Sequence, residues 1–86
     1  MATVFIPATL RPVTGGVAKV EATGKTLREV IYDLARQYPP LLDLLIEDGQ
    51  IRSELLMAVG SDEAFGLETP VPEGAEVHIL PALAGG

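Results

Sequence analysis

Thr26-Leu27-Arg28-Glu29-Val30-Ile31-Tyr32-Asp33-Leu34-Ala35-Arg36-Gln37-Tyr38-Pro39-Pro40 carries one apolar stripe and one charged one. Leu27, Val30, Ile31, Leu34 and Tyr38 follow the i, i+3, i+4, i+7, i+11 rhythm of a single helical face. Arg28, Glu29, Asp33, Arg36 and Gln37 decorate the other face. Thr26 and Glu29 fit a capping box, in which each side chain satisfies an orphan amide at the helix start. Pro39-Pro40 stops the helix, because the residue before a proline avoids the helical region. A helix with one apolar face must bury it, and the flanking sequence supplies strands for that purpose.

Upstream, Thr3 to Ile6 is a β-branched and aromatic run ended by Pro7. Alternation puts Val4 and Ile6 on one face, with Thr3 and Phe5 on the other. Arg11-Pro12-Val13-Thr14-Gly15-Gly16 is dense in turn residues, and Val17 to Glu21 resumes as a strand. The two strands form a hairpin with a long loop. Downstream, Leu41 to Ile46 reads as a helical turn over the core and Glu47 to Gln50 as a polar turn. Leu55 to Val59 reads as a strand, with Leu55, Met57 and Val59 sharing a face. Gly60 to Glu63 is a turn, Ala64 to Glu68 a short edge strand, and Pro70 to Gly74 a further turn. Glu76 to Leu80 is the last strand, with Val77 and Ile79 inward and His78 and Leu80 outward. Strand, strand, helix, strand, strand describes an α+β chain: a mixed sheet of four to five strands with one main helix across a face. That is the order of the β-grasp, or ubiquitin-like, fold. Residues 1–80 are expected to form this domain, and residues 81–86 a flexible tail.

Eighty-six residues suffice for one domain with a single modest core. The absence of cysteine excludes disulfides, thiolate catalysis and cysteine-ligated zinc. His78 is the one histidine; it reads as a strand surface residue rather than a metal ligand. Twelve acidic against six basic residues give a net charge of −6, and the basic residues are scattered. Such a field repels nucleic acid. The stretch from Met1 to Pro7 has no charged segment leading into a long apolar run, so no signal peptide is expected. No segment approaches a membrane span, and a cytoplasmic protein is expected. There is no Ser-His-Asp pattern, no zinc-protease motif and no phosphate loop. The adjacent acids Glu47-Asp48 and Asp62-Glu63 read as solvated turns. No catalytic residue and no metal site emerge.

The last residues are Leu83-Ala84-Gly85-Gly86. Without Cβ atoms, two glycines can thread a channel that any side chain would block. Three segments resemble the MoaD/ThiS-type ubiquitin-like sulfur carriers, relatives of the molybdopterin synthase small subunit and the thiamin sulfur carrier. The capped helix Thr26 to Leu34 looks like the family's "TL-x-x-V-x-x-L" helix. Thr69-Pro70-Val71-Pro72-Glu73-Gly74-Ala75-Glu76-Val77 looks like its "T-P-L-x-D-G-D-x-V" turn into the last strand. Leu80 to Gly86 looks like its "P-P-V-A-G-G" terminus. Ile6 to Gly16 and Ile79 to Gly86 look most like the carrier of the thiocarboxylate-dependent cysteine pathway.

The resemblance implies a protein cosubstrate, not an enzyme. An E1-like activating enzyme would use ATP to adenylate the Gly86 carboxylate, and sulfur would displace AMP to leave a thiocarboxylate. A sulfur-accepting biosynthetic enzyme would then draw on it, making cysteine or another thiolated metabolite. No cofactor is expected on the chain itself. Gly85, Ala84 and Leu83 would thread the partner's active site behind Gly86. On the sheet face away from the helix, Phe5, Leu56, Ala58 and Leu80 form a candidate docking patch. The alternatives are the small subunit of molybdopterin synthase and a ubiquitin-like modifier that joins Gly86 to lysines. A plain interaction domain with an incidental diglycine is the remaining one.

Overall fold

The computed structural model describes residues 1–81. Strand β1 (Ala2–Phe5) alternates as its sequence requires: Ala2 and Val4 are buried, as is Ile6 just beyond, while Thr3 and Phe5 face outward. The loop that follows is more ordered than its turn residues suggest, because Ala8–Thr14 winds into a 3-10 helix. The buried Thr14 hydroxyl donates to the Val17 carbonyl at 2.8 Å, and Arg11 Nε donates to the Ile6 carbonyl at 3.0 Å. The Thr14 bond ties Val17 into the loop, so β2 (Lys19–Ala22) begins two residues later than the run from Val17 suggests. It pairs antiparallel with β1, Val4 opposite Val20.

Helix α1 (Leu27–Gln37) lays Leu27, Val30, Ile31, Leu34 and Ala35 into the core. All four amides of its first turn have partners. Leu27 N–H donates to the Thr69 carbonyl at 2.9 Å, and Arg28 N–H to Leu67 at 2.8 Å. Glu29 N–H donates to Thr26 Oγ1 at 3.3 Å, and Val30 N–H to the Thr26 carbonyl at 3.0 Å. The reciprocal arm of the expected capping box is displaced by one residue, since the Glu29 carboxylate accepts from Lys25 N–H at 2.8 Å. Two of the first-turn amides are thus satisfied by a distant loop rather than by local side chains.

Helix α2 (Pro40–Leu45) follows at once and buries Leu41 and Leu45. Strands β3 (Ile46–Glu47) and β4 (Gln50–Ile51) make a small hairpin about Asp48 and Gly49, whose φ values are 54° and 75°. Two left-handed residues suit a primed turn, and Asp-Gly is a favoured pair there. Strand β5 (Leu55–Val59) turns through Gly60-Ser61 into β6 (Asp62–Ala64), and β7 (Glu76–Pro81) closes the domain. The edge strand lies two residues earlier than expected. Pairing of Val59 with Asp62 begins directly after the Gly60-Ser61 turn, and residues 65–69 are drawn off to cap α1. Asp62 and Glu63 therefore belong to a strand rather than a turn.

The sheet order is β2-β1-β7-β5-β6. The first and last strands lie side by side and parallel, and all other neighbours are antiparallel. One helix crosses one face, with Val4, Ile6, Met57, Val77 and Ile79 beneath it in a single core. This is the β-grasp arrangement that the element order implies.

Candidate functional site: the outer sheet face at the root of the tail

The face opposite α1 is assembled by strand register. Lys19, Phe5, His78, Ala58 and Glu63 lie opposite one another in a row across all five strands. One step toward the chain terminus, Leu80 sits opposite Leu56. The four candidate docking residues Phe5, Leu56, Ala58 and Leu80 are thereby gathered on one surface. Leu56 and Leu80 are 40% and 48% exposed, and Phe5 and Ala58 are half-buried.

Sequence reading placed His78 outward but did not connect it to Phe5. Their rings stack in parallel, with centroids 4.5 Å apart and 9° between planes. On β2, Lys19 Nζ lies 5.4 Å from the Phe5 ring centroid, a cation–π distance. His78 Nε2 is 3.3 Å from Glu76 Oε1. Phe5 is thus held between a cation and an imidazole. The signal for this was the outward parity shared by Phe5 and His78; the parallel pairing of β1 with β7 that joins them is a tertiary fact. Phe65 was also missed. It directly follows β6 and borders a groove with Leu56.

Pro81, which the sequence assigns to the tail, closes β7 opposite Leu55. It has no amide to donate, and the Leu55 N–H turns back to the Arg52 carbonyl at 3.0 Å. The described part of β7 thus ends next to the Leu80–Leu56 pair. Leu83, Ala84, Gly85 and Gly86 lie outside the described residues.

Lys19 and Glu63 put charge at the two edges of this row, and two further ion pairs lie outside it. Arg28 pairs with Glu68 and Arg52 with Glu54, each at 2.7 Å. The hydrogen bond from Arg52 holds the Glu54 carboxyl below its ordinary range. Among the described residues, no three His, Asp or Glu side chains gather where a metal could sit. None of the described helices is long and apolar enough to cross a membrane.

The sequence model of the ThiS family matches residues 4–86, through the final diglycine. The chain belongs to the ThiS family. It is 39% identical over 90 aligned positions to sulfur carrier protein CysO of Mycobacterium tuberculosis, covering 98% of this chain and 97% of that protein. Among solved structures, it superposes on a chain of the Amycolatopsis orientalis BexX/CysO complex with a TM-score of 0.92 and 35% identity, covering 100% of both chains. The crystal structure of Mycobacterium tuberculosis CysO gives a TM-score of 0.91 at 36% identity, covering 96% of this chain and 100% of that one. Family, relatives and fold agree on the sulfur-carrier role that the motifs of this ThiS-family chain imply.

Proposed function

We propose that this chain carries sulfur as a thiocarboxylate on Gly86 and acts as a cosubstrate of partner enzymes in the cytoplasm. The observation that carries the reading is the family match running unbroken into Gly85-Gly86. A carboxylate is a poor electrophile because oxide is a very poor leaving group. An E1-like enzyme would supply ATP, forming the Gly86 acyl-adenylate and releasing pyrophosphate. Sulfur from a donor then attacks the carbonyl carbon and AMP departs with the bonding pair. The resulting thiocarboxylate is ionised at neutral pH and nucleophilic at sulfur. An accepting enzyme would direct it at an activated substrate, making cysteine or another thiolated metabolite. Hydrolysis of the acyl link restores the Gly86 carboxylate.

The chain would contribute geometry to this chemistry, not acid, base or bound cofactor. Pro81 to Gly86 is six residues, a reach of roughly 20 Å. Phe5, Leu56, Ala58 and Leu80 would dock the partner, while Leu83, Ala84 and Gly85 would line the channel behind Gly86. The test is pyrophosphate exchange into ATP by the host's activating enzyme. Exchange is expected with the full chain and lost when Gly86 is deleted. Exchange that is indifferent to Gly86 would rule out adenylation there.

A further inference from the structure

Phe65 is 84% exposed, the most exposed large apolar side chain among the described residues. It adds nothing to the core, and a ring in solvent favours association. Its backbone is nevertheless braced on both sides. Ala64 before it pairs with Met57 in the sheet. After it, the Leu67 and Thr69 carbonyls cap α1, the Thr69 hydroxyl donates to Gly66 at 2.6 Å, and Glu68 holds Arg28. An aromatic side chain presented on so constrained a loop loses little further freedom when it binds.

Its position is equally specific. Phe65 directly follows the last paired residue of β6 and lines one groove with Leu56, whose own partner is Leu80. With strands about 4.8 Å apart, Phe65 stands roughly 10 Å from β7. The five residues after Pro81 reach at most about 17 Å. An enzyme that holds Gly86 in its active site would therefore come within reach of this end of the sheet. Shallow grooves flank the ring, one of about 360 Å³ bordered by Arg28 and Ile51, the other of about 140 Å³ bordered by Arg52 and Leu55. Each arginine gives its Nε to a neighbouring carboxylate and Arg52 also gives Nη1 to the Asp43 carbonyl at 3.2 Å, out of the five N–H donors a guanidinium has.

Building on the proposed carrier function, we infer that Phe65 is the anchor by which the tail-charging enzyme grips this chain. The ring enters an apolar pocket of that enzyme, and carboxylates at the pocket rim face Arg28 and Arg52. The test is steady-state charging of the full chain by the host's activating enzyme, followed by intact mass, with the Phe65→Ser and Phe65→Tyr variants beside the wild type. Phe65→Ser is expected to keep its melting temperature and raise KM at least tenfold, with kcat changed less than twofold. Phe65→Tyr should stay near wild type. A Phe65→Ser KM within twofold of wild type would overturn the anchor while leaving the carrier reading intact. If Phe65→Ser is destabilised, the wild-type Phe65 ring resonances on adding enzyme decide: broadening or shifts support the anchor, and unchanged resonances overturn it. A wild-type chain that is never charged would remove the carrier reading and the anchor together.

Discussion

At the scale of single residues, Gly24 shows how closely the loop before α1 approaches the helix. A Cβ there would lie 2.6 Å from the Val30 amide nitrogen and 2.8 Å from the Glu29 carbonyl carbon. Both are backbone atoms that cannot swing aside. Gly24→Ala is expected to cost roughly 1–3 kcal/mol in urea unfolding, the usual penalty for forced overpacking. Asp33 carries a pH effect. Its carboxylate accepts from Thr23 N–H at 2.9 Å and from Arg36, which hold its pKa below the ordinary value. A depressed folded pKa means that the stabilisation is present above the unfolded value, near 3.8, and lost as pH falls through the folded one. The stability gap between wild type and Asp33→Asn should thus be constant from pH 5 to 7, then shrink below about pH 4. A gap unchanged at pH 2 would contradict this. For the tail, Gly85→Val and Gly86→Val should melt like wild type yet fail to be charged.

At the scale of elements, α1 was the most legible part of the chain, and its reasons are local: the apolar stripe, the Thr26 cap and the Pro39-Pro40 stop lie within the segment itself. Thr26→Ala is expected to cost about 1 kcal/mol. For a domain of this size that lowers the melting temperature by roughly 4–8 °C. The elements misread from sequence are those whose partners are distant. Ala64 to Glu68 looks like an edge strand, but the Leu67 and Thr69 carbonyls are claimed by Arg28 and Leu27 about forty positions earlier. In sequence the β3–β4 hairpin shows only as the polar turn Glu47 to Gln50, because two-residue strands leave no period to detect. The 3-10 helix after β1 was hidden by its own turn-rich composition. Of the candidate site, outward parity revealed Phe5, Leu56, Ala58 and Leu80, since alternation is a local property. The Phe5–His78 stack and the Lys19 contact depend on which strands become neighbours, and parity does not encode that.

At the scale of the whole molecule, the topology sets the first and last strands side by side. Parallel pairing of β1 with β7 sets Phe5 beside His78, two residues before Leu80, so one apolar face lies at the foot of the emerging tail. A chain of 86 residues has little surface to spare, and under the proposed function this concentration would give a partner both a grip and a direction. Phe5→Glu and Leu80→Glu are each expected to lower kcat/KM for charging at least tenfold, about 1.4 kcal/mol or more, without unfolding the chain. A folded variant of either kind that charges at the normal rate would count against docking by this face. The most direct measurement is the intact mass of the protein purified from its native host with an untagged C-terminus. Carrier chemistry requires a species heavier by one oxygen-to-sulfur exchange, localised to Gly86. Only the plain carboxylate, persisting after incubation with ATP, sulfide and the host's activating enzyme, would contradict it.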